Sequence, residues 1–238
     1  MNVTRAAVIA ALLATLVPGR GEAAPVACVP GTLSDYFALS DACTVGAFQF
    51  QNFVQLTTQP AGSSPISPDA VQVMPVASGL AFGVDVSASA GELLEILFGY
   101  DVTGSGIAGA GLSLSGASAA GDGAVTAVKN FCEDGRFDPG EVTGCTGTGD
   151  ALIAAALDGL EDLNQSLTIL PTVALLGVVD DIAVDGGVDG NASLQGSVTN
   201  QFVGGANPVP EPASAVLVAS GILGLLRSRV RGVRRRIS

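Results

Sequence analysis

The chain has 238 residues and a formal net charge of −12, which allows one large or two small domains. Residues 24–207 hold 20 of the 22 acidic residues but only two of the ten basic ones, Lys129 and Arg136, so this part repels nucleic acids and anionic membranes. The absence of histidine excludes Ser–His and Cys–His nucleophilic mechanisms.

Residues 1–23 have the three parts of a secretory signal peptide. A short basic stretch ending at Arg5 is followed by an apolar run over residues 6–17 and then by small residues at Gly21 and Ala23. We expect cleavage by signal peptidase between Ala23 and Ala24. No twin-arginine pair precedes the apolar run, so we expect export through the Sec machinery as an unfolded chain.

Four cysteines remain after this cleavage, and an even number in an exported chain predicts disulfides. Three pairings are possible. The local pairing closes two loops of similar size, and each bridge would stabilise the fold by roughly 3 kcal/mol. A zinc site is disfavoured because the sequence has no C-x-x-C spacing and no histidine. The four residues are Cys28, Cys43, Cys132 and Cys145.

Within the predicted domain, residues 24–202, the dominant pattern from Thr44 to Phe202 is a hydrophobic residue at every second position, in short runs separated by turns rich in Gly, Ser, Asp and Pro. This pattern predicts one mostly β domain, an antiparallel β-sandwich or jelly-roll-like fold. The fold would be flanked by the N-terminal signal helix and by one C-terminal apolar helix. The alternating positions include Leu80, Phe82, Val84, Val86, Leu94, Ile96, Phe98, Tyr100, Val102, Leu112, Leu114, Ile182, Val184, Ala192, Leu194 and Val198.

Two stretches of this domain allow more than one interpretation. Gly104, Gly106 and Gly109 match G-x-G-x-x-G, but no helix pattern follows them, so we expect a flexible turn between strands and no dinucleotide site. Residues 150–165 begin with a cap-like Asp and contain good helix formers, yet Gly159 lies in their middle. The sequence leaves helix and strand open for this stretch.

Acidic loops are the candidate metal sites, and no other cofactor is predicted. Carboxylates between Cys132 and Cys145 could bind Ca²⁺, although their spacing differs from that of an EF-hand loop, and the alternative is a solvated acidic loop without a metal. The carboxylates of this first candidate are Glu133, Asp134, Asp138 and Glu141. A second, weaker candidate comprises Asp180, Asp181, Asp185 and Asp189.

The C-terminal part divides into a linker, residues 203–208, and a tail, residues 209–238. The tail has a Val-Pro-Glu-Pro motif, then an apolar run over residues 213–226 that spans about 21 Å as a helix, short of a bilayer core of about 30 Å. With its neighbours it can serve as a marginal transmembrane helix, with arginines on the cytoplasmic side. The motif is Val209, Pro210, Glu211 and Pro212, and the arginines are Arg227, Arg229, Arg231, Arg234, Arg235 and Arg236.

This motif, helix and arginine cluster, in this order, resemble the PEP-CTERM sorting signal of Gram-negative bacteria. The resemblance implies removal of the tail near Pro-Glu-Pro by an exosortase, an integral-membrane protease. It also implies transient tethering to the inner membrane and delivery to the cell surface or the exopolysaccharide matrix. Residues 31–39, 43–53, 181–187 and 198–202 resemble PEP-CTERM proteins of unknown activity, which implies a secreted β-domain and supplies no catalytic residues.

The sequence therefore predicts a non-enzymatic, disulfide-linked surface or biofilm-matrix protein. One alternative is a calcium-assisted polysaccharide-binding module. A second is a glycosidase that uses two carboxylates, although sugar subsites favour aromatic platforms and the chain has no Trp and two Tyr. We expect exopolysaccharide as a partner and no nucleic acid. The sequence does not identify the glycan or the oligomeric state.

Overall fold

The computed structural model describes residues 26–56, 62–138 and 143–205. The predicted signal peptide, the cleavage site at Ala23 and Ala24, the Pro-Glu-Pro motif, the C-terminal helix and the arginine cluster lie outside the described residues. Within the described residues, no helix is long and apolar enough to cross a membrane.

The described chain is mostly strand, with one short helix and one 3₁₀ turn at Pro68–Ala70. In chain order the elements are β1 (Val26–Ala27), β2 (Gly31–Thr32), α1 (Leu33–Phe37), β3 (Cys43–Val45), β4 (Phe48–Gln55), β5 (Ser64–Pro65), β6 (Gln72–Val76), β7 (Gly79–Ser89), β8 (Leu93–Ala120), β9 (Ala124–Glu133), β10 (Thr148–Leu157), β11 (Leu160–Asp162), β12 (Asn164–Asp185) and β13 (Asn191–Gly204).

These strands form one hydrogen-bonded, mainly antiparallel system in the order β11-β10-β9-β12-β8-β13-β7-β6-β2. Strands β4, β3 and β1 continue from the first half of β8, and only the short pairs β1–β3 and β5–β8 are parallel. The long strands β8 and β12 hold the system together, because they pair along most of their lengths.

The halves of β8 and β12 belong to two different layers. The first layer contains the start of β8 and the end of β12, with β9 and β10 on one side and β4 on the other. The second layer contains the end of β8, the start of β12, β13, β7 and β6. Asn200 on β13 donates a hydrogen bond to Asp180 on β12, so the two layers meet face to face. This arrangement is consistent with the predicted β-sandwich.

Alternate residues of the long strands belong to one hydrophobic core, which confirms the predicted strand pattern. Leu80, Phe82 and Val84 on β7 point inward, as do the alternate residues from Ile96 to Val102 on β8. Aromatic rings fill the centre of the core, with ring centroids 4.7 Å apart for Phe82 and Phe98. Each such side chain contributes about 1.5–3 kcal/mol on burial, so the inward faces determine the register of the strands.

The structure corrects one interpretation and decides another. Gly104, Gly106 and Gly109 lie inside β8 and not in a turn between strands. The pairing of β8 changes there: β4 begins opposite Gly104 and β13 ends opposite Ile107, so the glycines mark the passage between layers. Residues 150–165 form strand and not helix, because β10 and β11 make a hairpin that turns at Gly159 with φ of 72°.

Both predicted disulfides are present with the local pairing. Cys28–Cys43 has a Cα–Cα separation of 4.8 Å and joins β3 to the segment that follows β1. Cys132–Cys145 has a Cα–Cα separation of 5.4 Å and closes the loop that follows β9. Both separations lie in the usual range for a disulfide.

Candidate functional site

A cleft of about 360 Å³ opens on the outer face of the first layer. It lies between the end of β4, the middle of β8 and β12, and the disulfide-closed loop after β9. We call it the Asp101 cleft, after the buried carboxylate at its base. Its residues are Asn52, Phe53, Val54, Leu56, Gly99, Tyr100, Asp101, Arg136, Phe137, Asp138, Gly177, Val178 and Val179.

A bulge in β4 places an amide on the Asp101 carboxylate. The pairing of β4 with β8 shifts between Gln51 and Val54, and Asn52 adopts a left-handed backbone with φ of 56°. Asparagine tolerates this conformation better than most residues. Asn52 Nδ2 donates a hydrogen bond of 2.6 Å to Asp101 Oδ2.

The loop closed by Cys132–Cys145 places a guanidinium beside the same carboxylate. Backbone bonds between Thr146 and Arg136 hold the loop, with Thr146 N donating to Arg136 O at 3.1 Å. The loop lies directly on Gly177 of β12, where a Cβ would come within 3.0 Å of the Arg136 Cα. A glycine at this position therefore permits the close approach.

The resulting ion pair is buried at one end and accessible at the other. Arg136 Nε lies 2.6 Å from Asp101 Oδ2, and the two side chains are 53% and 8% exposed. Arg136 is the only exposed cation in the part of the chain that the structure describes. The guanidinium, a group with five N–H donors, therefore lines the cleft beside a carboxylate that fixes its orientation.

An apolar wall completes the cleft. Leu56, Leu97 and Val179 form a small buried cluster on the outer face, and the half-buried ring of Phe137 packs against it. A concave surface with a few oriented polar groups and an apolar wall is the usual form of a small-ligand site. Chemically, this combination suits a ligand with hydroxyl groups on one side and C–H groups on the other.

A pair of carboxyl groups, Glu95 and Asp181, also lies on the outer face of this layer, apart from the cleft lining. Burial, and then the charge and hydrogen bond of Glu95, raise the pKa of Asp181 to about 7. A glycosidase needs its two carboxyl groups about 5 Å or more apart, farther than a direct hydrogen bond allows. The pair therefore lacks the spacing of a glycosidase dyad.

The first calcium candidate is only partly described. Glu133 ends β9, and burial together with Asp150 and Asp134 raises its pKa. Asp138 turns into the Asp101 cleft, and Glu141 lies outside the described residues. Across residues 26–56, 62–138 and 143–205 no three acidic, His or Cys side chains are grouped as metal ligands. Calcium binding at this loop stays a prediction.

The second acidic candidate is not a cluster. Asp180 and Asp181 are consecutive in β12, so their side chains lie on opposite faces of the sheet. Asp185 accepts a hydrogen bond from the backbone N–H of Gly187, and Asp189 donates its backbone N–H to Asp122. The structure therefore does not bring these four carboxylates together.

Two residues of functional interest, Arg136 and Lys129, have features in the sequence that indicate them, and two others do not. Arg136 is one of two basic residues in an acidic body, which marks it as a residue with a specific partner. Lys129 follows Val125 and Ala127 at the alternating inward positions of β9, which places its amine in the core. Asn52 and Asp101 could not be paired from the sequence, because their contact depends on the bulge in β4.

No family model and no curated protein matches the chain. Among solved structures, the carbohydrate-binding module TmCBM61 in complex with β-1,4-galactotriose matches at 11% identity with a TM-score of 0.28, covering 67% of this chain and 83% of that one. The enzymatically active domain of tailspike protein 4 from bacteriophage CBA120 matches at 13% identity with a TM-score of 0.27, covering 64% of this chain and 19% of that one. TM-scores this low carry no argument about this chain.

Proposed function

We propose that the protein is a non-enzymatic, exported β-domain that binds a neutral polysaccharide of the cell surface or biofilm matrix through the Asp101 cleft. The observation that carries the proposal is the Asp101–Arg136 ion pair with the Asn52 amide, at the base of an open cleft walled by Phe137. Delivery would follow the predicted route, with Sec export and removal of the tail by an exosortase.

The charge of the domain selects the class of polysaccharide. Residues 24–207 carry 20 acidic residues and two basic ones, and the amine of Lys129 is buried. A polymer of uronic acids would be repelled by this surface. A neutral glycan would meet oriented donors and an acceptor for its hydroxyl groups, and an aromatic ring for the apolar face of a sugar.

A second surface depression competes for the same role. It has a volume of about 560 Å³ and lies where the strand segments 108–113 and 164–168 meet, with Thr199, Gln201 and Val203 beside them. Its lining carries no charged side chain among the residues described there. The Asp101 cleft is preferred because charge-assisted hydrogen bonds are about twice as strong as neutral ones.

Affinity electrophoresis of the full chain through gels that contain neutral polysaccharides, including the exopolysaccharide of the native host, tests the proposal. We expect Arg136→Met and Asn52→Gly each to weaken retardation about tenfold, the effect of losing a hydrogen bond to a charged group. Glycine keeps the left-handed backbone at position 52. Glu161→Gln, on exposed β11, is the matched control and should migrate like the unmodified protein.

Two outcomes would overturn this assignment. One is the absence of retardation in every neutral polysaccharide, and the other is equal retardation of Arg136→Met and the unmodified protein. The same gels with a chelator separate the calcium-assisted alternative. Binding through the Asp101 cleft alone persists without divalent cations, whereas binding through a calcium loop at Glu133, Asp134, Asp138 and Glu141 is lost.

A further inference from the structure

Four polar side chains lie together in the core between the two layers, and one of them, Tyr100, also lines the Asp101 cleft. Lys129, Asp180 and Asn200 are 0%, 1% and 0% exposed, and the Tyr100 hydroxyl joins them. We call them the Lys129 cluster. Buried lysine is among the rarest residues in protein cores, and Lys129 is the only lysine in the sequence.

The amine of Lys129 is held in an aromatic surrounding. Its Nζ lies 4.1 Å from the ring centroid of Phe202 and 5.0 Å from that of Phe131. It also donates a hydrogen bond of 3.4 Å to the carbonyl of Gly111. Phe202 and Gly111 belong to β13 and β8, so the amine reaches across the core from β9 to the second layer.

Asp180 is the point on which the amine and the amide converge. It lies directly opposite Lys129 in the pairing of β12 with β9. Asn200 lies two residues before Phe202, on the same face of β13, and its Nδ2 donates to Asp180 and, at 2.7 Å, to the Tyr100 hydroxyl. A lysine on β9 and an asparagine on β13 thus lie beside one carboxylate on β12.

This arrangement is costly if it only fills space. Among the described residues, Asp180 Oδ1 and Asn200 Oδ1 are buried and have no hydrogen-bond partner. The described part of the chain has one direct ion pair, Arg136–Asp101, so Lys129 and Asp180 do not neutralise each other by contact. Unpaired buried polar groups of this kind destabilise a fold, and apolar residues in their place would be more stable.

Burial also places the reacting groups in the charge states that acyl transfer needs. Desolvation lowers the pKa of the Lys129 amine to about 7, and desolvation raises the pKa of Asp180 to about 6. Near neutral pH the amine is therefore substantially uncharged and nucleophilic. The carboxyl is available to carry a proton within a site closed to water.

We propose that Lys129 and Asn200 are joined after folding by an intramolecular isopeptide bond, with Asp180 as the proton-transferring catalytic residue. The uncharged Nζ of Lys129 attacks Cγ of Asn200 while the Asp180 carboxyl protonates the amide oxygen, which gives a tetrahedral intermediate. The Asp180 carboxylate then carries one proton from Nζ to Nδ2, the Cγ–Nδ2 bond breaks, and the proton on the oxygen returns to Asp180 as the carbonyl forms again. A new amide forms, one ammonia is released, Asp180 is restored, and no oxidant or cofactor is consumed.

The bond would cross-link the two layers at their centre. It would join β9 of the first layer to β13 of the second, and neither disulfide connects these strands. Such a link cannot be broken by reduction and would suit a protein exposed outside the cell. The inference stands on the core of the domain and is independent of what the Asp101 cleft binds.

The test uses the full chain after denaturation and reduction of both disulfides. A lysine-specific protease has one target in the sequence, Lys129, and does not cleave at a lysine whose amine is acylated. We expect no cleavage, and a mass lower by one ammonia than that of the same processed chain calculated from its sequence. An unmodified mass with cleavage after Lys129 would overturn the proposal without reference to any variant.

Variants identify the electrophile and the proton carrier. Asn200→Ala and Asp180→Ala should each restore the full mass and cleavage after Lys129. Asn191→Ala is the matched control, since this asparagine lies on the same strand but is exposed, and it should keep the cross-link. Loss of water in place of ammonia, or persistence of the link in Asn200→Ala, would overturn the assignment of Asn200.

Discussion

The fold favours the protonated, uncharged form of the Asp181 side chain, whereas a solvent-exposed aspartate is ionised at neutral pH. Its pKa is raised from 3.8 to about 7, first by burial and then by Glu95, with a smaller contribution from the charge of Asp180. The folded chain therefore binds a proton at this site more tightly than the unfolded chain does. Stability from this site is complete below pH 4 and falls as the pH rises to about 7.

We therefore expect Asp181→Asn to stabilise the protein above pH 7 and to have little effect near pH 3.5. The gain should be about 1–2 kcal/mol, after allowance for the partial exposure of the side chain. Denaturant unfolding at several pH values measures it. Asp158→Asn, in the exposed turn between β10 and β11, is the control, and an equal gain at both pH extremes would contradict the explanation.

At the scale of single elements, alternation predicted the strands because alternate residues of each long strand point into the core between the layers. The inward positions of β7, β8, β12 and β13 follow directly from the period of two. The length of β8 did not follow, because Gly104 and Gly106 are typical of turns and only tertiary pairing shows that the strand continues through them. The hairpin turn has a local signal in the sequence, which is Gly159 itself. Its backbone has a positive φ, a conformation that glycine adopts readily and that does not occur inside a helix.

The short helix α1 was missed although its signal is local. Thr32 caps it: Asp35 donates its backbone N–H to Thr32 Oγ1 at 3.2 Å, and Thr32 donates its own to Asp35 at 2.7 Å. This reciprocal pattern is a capping box. The candidate site was less predictable, because the Asp101 cleft is assembled from four separate segments, and only the isolated cation Arg136 was visible in the sequence.

The two disulfides are a natural matched pair for testing what positions Arg136. Their sequence separations are 15 and 13 residues, so loop entropy predicts nearly equal losses of about 3 kcal/mol on removal. Only Cys132–Cys145 closes the loop that carries Arg136. We expect Cys132→Ala/Cys145→Ala and Cys28→Ala/Cys43→Ala to shift the unfolding midpoint alike, while only the first weakens polysaccharide retardation. Equal weakening by both would show that the disulfide loop does not position the guanidinium.

For the whole molecule, the distribution of charge along the sequence follows the distribution of the strands. The acidic residues and the strands occupy the same stretch of the sequence, and six of the ten basic residues follow residue 226. Because β8 and β12 run through both layers, unfolding of one layer would also disrupt strands of the other. The two layers must therefore form together when the chain folds.

The sorting proposal is tested by the intact mass of the mature protein from its native host, measured in membrane and extracellular fractions. We expect an extracellular species that begins at Ala24 and ends between Pro210 and Pro212, with two disulfides. The physical reason is that a short apolar run behind a proline-rich segment gives a weak anchor that an intramembrane protease can reach. A membrane-bound species that still ends at Ser238 would instead make the tail a permanent anchor, and the polysaccharide would then have to be sought in the periplasm.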